Sequence, residues 1–242
     1  MTAPTAEGFV ATLHDLRAPE ELPVIRRRLA PGDGAIGMRM RDVFAAARAA
    51  RAMPLEEVGR LFASPLYEVR LGALCLLDLR ARDRRTGDAG KQRLCDLYLG
   101  HHDRITTWDM VDRAAPSVVG GALLTRPVTP LHELAAAGDP LRRRTAVTAP
   151  LAFVRWGDDQ HLAEVFPLAA RLAADPDPLV HKAVGILLEH AGGRAPGAVA
   201  AFLDEHAGRM PRAAVRTASA KLPPGDRARF VGGAARGGPA RR

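Results

Sequence analysis

Asp139-Pro140-Leu141-Arg142-Arg143-Arg144 is the stretch on which the fold turns. It opens with a carboxylate suited to cap a helix N-terminus. It then puts proline at the first helical position, where the missing N–H would have had no partner anyway. Cations follow, and then an apolar run. The same order recurs at Asp177-Pro178-Leu179-Val180-His181-Lys182 and, with serine as the cap, at Ser64-Pro65-Leu66-Tyr67-Glu68-Val69-Arg70. The later pair of starts lies 38 residues apart and the earlier pair 75, close to twice that.

A period near 40 with a helix pair in each period is the mark of a HEAT-type array. The spacing therefore predicts an all-α chain folded as a HEAT-like helical-repeat solenoid, an α-α superhelix. One period after Ser64 falls at His102, just ahead of Trp108. Composition agrees: 47% of the 242 residues are hydrophobic but only 5% aromatic, a core of Ala, Leu and Val that favours helix over strand. Further helices are expected over Gly8–Arg17, Glu20–Leu29, Asp42–Arg51, from Pro54 to Ala63, and over Asp158–Ala174, Pro196–His206 and Pro211–Leu222. Pro116, Pro150 and Pro167 should bend or split the helices that hold them, because proline cannot donate the ladder hydrogen bond. Residues 1–222 read as one repeat domain and residues 223–242 as a basic, flexible tail.

The formal charge of +8 invites a polyanion, but half of it sits after Pro223, in Arg227, Arg229, Arg236, Arg241 and Arg242 against Asp226. Where the arginines lie thus matters more than their number. No apolar run is long enough for a membrane span, and the N-terminus lacks the basic-then-apolar order of a signal peptide. Cys75 and Cys95 lie in apolar helical stretches and read as small buried hydrophobes. A cytoplasmic, nucleoid-associated monomer is the expectation.

The chemistry is concentrated in Thr106-Thr107-Trp108-Asp109-Met110-Val111-Asp112. Either threonine can cap a helix, on which Trp108 and Asp112, at i and i+4, share a face. A π surface beside a carboxylate suits a site that holds positive charge. If the early cation of each repeat points inward, Arg70, Arg144 and Lys182 line one groove able to track phosphates. Arg70 reads as a contact between repeats, and Arg144, within the Arg142–Arg144 run, as a phosphate ligand. His101-His102-Asp103 reads as a solvated loop, since adjacent histidines diverge on a helix and no further ligand spacing supports a metal. Gly192-Gly193 and Gly232-Gly233 read as a helix stop and part of the tail. No metal and no cofactor is expected.

From Gly37 to Leu222 the chain resembles the AlkD-like DNA alkylation repair glycosylases. The resemblance rests on Gly37-Met38-Arg39-Met40, Tyr67-Glu68-Val69-Arg70, Trp108-Asp109-Met110-Val111-Asp112, Ala115-Pro116, Arg143-Arg144-Thr145-Ala146 and His181-Lys182-Ala183-Val184-Gly185. It implies hydrolysis of the N-glycosidic bond of N3- or N7-alkylated purines in double-stranded DNA, bulky adducts included, without base flipping. Asp112 would stabilise the sugar cation and help place water. Trp108 would pack on the deoxyribose, and Arg144 would contact a phosphate, with Arg143 and Lys182 also assigned to DNA. Where the family places a second tryptophan, and an arginine three positions on, this chain has Ile186 and Glu189, so Ile186 is expected close to the substrate. Trp156 is read as a core residue at a helix end. Two other readings stand beside excision: a relative that binds DNA without cutting the glycosidic bond, and a HEAT scaffold for proteins.

Overall fold

The computed structural model of the protein describes residues 3–231. Every regular element among them is helical; the β-type pairing is an isolated bridge between Gly34 and Leu66. The chain divides into two compact units, Met1–Arg126 and Pro127–Arg242. The first holds α1 (Ala6–Asp15), α2 (Leu22–Arg26), α3 (Met40–Ala49), α4 (Leu55–Leu61), α5 (Tyr67–Ala81), α6 (Asp88–Gly100) and α7 (Trp108–Ala115). The second holds α8 (Thr129–Ala135), α9 (Pro140–Thr148), α10 (Leu151–Trp156), α11 (Asp159–Leu172), α12 (Pro178–Gly192), α13 (Pro196–His206), α14 (Arg212–Ala218) and α15 (Pro224–Val231). No helix among the described residues is long and apolar enough to cross a membrane.

The repeated starts do what their chemistry predicts at two of the three places. Asp139 accepts a hydrogen bond from Leu141 N at 3.0 Å and Asp177 from Leu179 N at 2.8 Å, each with proline at the first helical position. At Ser64 the hydroxyl likewise accepts from Leu66 N, at 3.1 Å, but the helix waits until Tyr67. The reason is the bridge. Gly34 N donates to Pro65 O and Tyr67 N to Gly34 O, which holds Leu66 extended against the incoming loop.

Each unit is built round one long helix. In the first, α5 is buried continuously from Tyr67 to Asp78 and packs on α3, α4, α6 and α7. A helix buried on all sides is a core helix, and each of its fully covered leucines contributes about 1.5–3 kcal/mol. In the second, α12 packs on α9, α11, α13 and α14. Gly185 permits the closest of these approaches: a Cβ there would lie 3.0 Å from Ala214 O.

The prolines act individually. Pro150 separates α9 from α10 as expected. Pro167 does not split α11; both it and Ala163, whose carbonyl loses a donor, are exposed, so water can satisfy that carbonyl. Pro116 offers no N–H to the carbonyl of Asp112, and the helix relaxes there into a π turn, Pro116–Gly120. After Pro223 the expected flexible tail is instead helical as far as Val231, and Arg229 pairs with Asp204 at 3.0 Å. The rest of that tail, with Gly232-Gly233, Arg236, Arg241 and Arg242, lies outside the described residues.

Many arginines cap helices. Arg104 donates to the carbonyls of Phe62 (2.9 Å), Ala63 and Ser64 just past α4. Arg194 does so at Gly157 (2.6 Å) after α10, and Arg209 at Ala170 (2.8 Å) in the last turn of α11. A cation at a helix C-terminus meets unpaired carbonyls and the negative end of the dipole. These links reach back between 37 and 42 residues, about one repeat, so they fasten successive helix pairs to each other.

The first turn of α5 does similar work in a buried setting. Both Glu68 carboxylate oxygens accept backbone N–H groups, from Ile36 (2.8 Å) and Gly37 (2.9 Å). Gly37 sits at φ +83°, and a Cβ there would lie 2.8 Å from Leu22, so glycine is required. Arg70, 1% exposed, pairs with Asp33 at 2.7 Å and donates to Ser64 O (2.8 Å) and Thr106 Oγ1 (3.0 Å). The expectation that Arg70 is structural is met. Removing one partner of such a pair leaves a buried, uncompensated charge. Arg70→Ala should therefore cost about 3–5 kcal/mol, read as a fall in the denaturation midpoint with unchanged slope; a loss under 1 kcal/mol, measured the same way, would mean Asp33 finds water instead.

Candidate functional site

α7 begins where Thr106 is fastened: its hydroxyl donates to Asp33 Oδ2 at 2.5 Å and accepts from Arg70. Thr107 is the residue before the helix, in extended backbone, but its hydroxyl makes no cap hydrogen bond. The helix is set by tertiary anchoring through Thr106, with Thr107 supplying backbone geometry only. Met110, Val111, Ala114 and Ala115 face the core. Trp108, 38% exposed, and half-buried Asp112 lie one turn apart beside Val111 and Ala115, on the strip of α7 that stays accessible, so the pair does share a face.

The neighbouring residue in the first turn is one that the sequence reading missed. Asp109, whose side chain is 11% exposed, accepts from Tyr67 Oη at 2.5 Å and pairs with Arg28 at 3.4 Å. The Arg28 guanidinium also lies 5.6 Å from the centre of the Tyr67 ring, within cation–π range. Burial, and then the Asp109 charge beside it, push the Tyr67 phenol far above its usual value, so it stays a donor. Asp109 Oδ1 and Arg28 Nε are buried with no hydrogen-bond partner. The available signal was the polar trio Tyr67, Glu68 and Arg70 opening a helix that is otherwise apolar as far as Leu77.

One turn along, Arg113 donates to Asp78 Oδ2 at 2.7 Å and stacks 4.6 Å above the Phe44 ring. Asp78, buried on α5, also accepts from Arg82 at 2.7 Å and from the Ser117 hydroxyl. Asp109 and Arg113, at i and i+4, thus hold α7 from its inner flank while Trp108 and Asp112 are left outward.

The remaining expected residues belong to the second unit. Arg143 pairs with Asp175 at 2.6 Å and donates to Ala137 O and Gly138 O, so it ties the start of α9 to the loop before α12. Arg144 is 2% exposed and donates to Leu179 O in the first turn of α12. As placed it is a packing group between α9 and α12. In the same run Arg142 is partly exposed and makes no ion pair among the described residues. Lys182 is exposed and Ile186 half-buried, at i and i+4 on α12, while Glu189, one turn on, faces Lys221 at 3.8 Å. Trp156 is 51% exposed at the end of α10, where a core position was expected; the residues that α10 buries are Ala152 and Phe153. His101-His102-Asp103 is no solvated loop either: His102 is fully buried against the Tyr98 ring in a 3-10 turn. Among the described residues no group of His, Cys, Asp and Glu is arranged to hold a metal. Cys75 and Cys95 are buried thiols, as expected, each pushed up to about 12 by burial.

A family model described as "DNA alkylation repair enzyme" matches residues 9–222. No curated protein matches the chain.

Tyr67→Phe keeps the ring and removes the one hydroxyl that Asp109 accepts from. A buried carboxylate left short of a donor should cost about 1–3 kcal/mol, whereas Arg142→Ala should stay within about 0.5 kcal/mol of the parent. Urea midpoints of the two variants, compared side by side, check this; equal losses would remove Asp109 from the account of how α7 is held.

Proposed function

The chain belongs to the DNA alkylation repair enzyme family, matched over residues 9–222, and from that premise we propose that it is a DNA glycosylase for N3- and N7-alkylated purines in duplex DNA. The observation that carries the reading is Trp108 beside Asp112 on the accessible face of α7, with the inner flank of that helix clamped. An alkylated purine already bears positive charge. When the glycosidic bond breaks it takes the electron pair and leaves neutral, so no general acid is needed. The barrier lies in the oxocarbenium-like sugar left behind. A carboxylate fixed before the reaction stabilises that cation and orients the water whose oxygen bonds to C1′; a tryptophan face against the sugar adds its quadrupole. The water's proton passes to solvent. Partly exposed Arg142 and exposed Lys182 are proposed to hold the backbone phosphates, with Arg143 and Arg144 fixing the helix that presents Arg142.

Ile186 and Glu189, where the AlkD-like pattern has tryptophan and arginine, favour a second reading, binding of damaged duplex without excision. In the first reading the same change makes space for larger adducts.

Asp112→Asn removes the charge and keeps the shape. It should slow release of the modified base by on the order of a hundredfold while DNA affinity changes little; mass detection of freed N7-methylguanine gives the rate. Unchanged release would withdraw the catalytic role, and no release by the parent protein would leave the binding-only reading. Arg142→Ala should lower affinity for damaged and undamaged duplex alike and flatten the salt dependence by about one unit. An unaltered slope in a salt titration would take Arg142 out of the interface.

A further inference from the structure

Between α3, α5 and α7 of the first unit lies a cavity of about 220 Å³, walled by Phe44, Arg48, Cys75, Asp78, Arg82 and Arg113. Its charge is unusual for a cavity among core helices: three guanidiniums against one carboxylate. Asp78 does not repel an incoming anion as an isolated carboxylate would, because its oxygens already accept from Arg82 Nε, Arg113 Nη2 and the Ser117 hydroxyl. Each arginine gives Asp78 one N–H, which leaves further donors on both. Arg113 Nε is buried and has no hydrogen-bond partner. Arg48 is exposed at the rim and makes no ion pair among the described residues. Cys75 adds a neutral wall, its thiol pushed up to about 12 by burial.

A nucleobase is a poor occupant. The aromatic surface on which it would stack is Phe44, and the Arg113 guanidinium covers that ring at 4.6 Å. What the walls offer instead is a set of N–H forks, two of them fixed by Asp78 before any ligand arrives. Preorganised guanidiniums are the side chains best matched to a tetrahedral oxyanion. We propose that this cavity is a phosphate-binding site, with Arg113 and Arg82 as the fixed donors and Arg48 closing on the anion from α3. The phosphate is carried on the DNA backbone or is unattached; the chemistry of recognition is the same. The site lies on the inner flank of α7, separate from Trp108 and Asp112, and its occupancy does not depend on base excision.

The test uses the full chain and inorganic phosphate, with chloride at matched ionic strength as the control. Phosphate at saturation should raise the melting temperature of the parent protein by about 2–4 °C, by linkage to the native state. The Arg48→Ala/Arg82→Ala double variant should fold, since both residues are exposed and Asp78 keeps Arg113 and Ser117, but it should lose that rise. No rise in the parent, or an equal rise in the variant, overturns the proposal. If the variant loses the rise, a salt titration of undamaged duplex binding identifies the source. A slope flatter by about one unit or more assigns the site to a backbone phosphate, and an unchanged slope assigns it to an unattached one. Base release is not read in any arm, so a failed excision assay leaves this result standing.

Discussion

One buried ion pair sets the geometry of the first unit. Arg70 and Asp33 meet at 2.7 Å inside the protein, and Thr106 completes the contact from the segment that leads into α7. Water cannot screen such a pair, so its geometry must be right or the desolvation penalty stands unopposed. Three separate pieces of chain are located by it: the loop at Asp33, the start of α5 and the start of α7. Glu68 tightens the first of these by taking two backbone N–H groups, and Tyr67 the third by reaching Asp109. The outward face of α7 is therefore placed by contacts made behind it. Trp108 and Asp112 stand on the part of that helix which stays accessible.

The arginines explain why the charge of the chain says little about its partner. Arg104, Arg194 and Arg209 face helix-end carbonyls, Arg143 faces Asp175, and Arg144 sits between two helices. These cations are engaged within the fold itself. Arg142 and Arg48, which make no ion pair among the described residues, are the cations that the two proposals assign to phosphate.

How much of this is legible in the sequence follows from the range of the interactions. The Asp-Pro-Leu starts act within three residues, so their caps could be read directly, and the period between them gave the fold class. The Trp108–Asp112 face needs only helix periodicity. Arg143 and Arg144 could not be told from Arg142 in that way: the difference between them is which meets Asp175, 32 residues away, or Leu179, 35 away. Asp109 was passed over for the same reason, its partners being Tyr67 and Arg28. Trp156 was misjudged because an aromatic residue in a helix is usually core, and nothing local reveals that α10 turns Ala152 and Phe153 inward instead.

The π turn at Pro116 changes the register of the chain that follows α7. A wide turn holds one residue more than an α turn, so the chain beyond it is rotated by about 100° relative to an unbroken helix. Ser117, whose hydroxyl reaches Asp78, lies within that turn, while Asp112 stands in the α turn before it. The two halves of the helix answer to different registers. A deletion there would restore a smoother helix and, in the same stroke, turn the residues on one side away from the partners they have now.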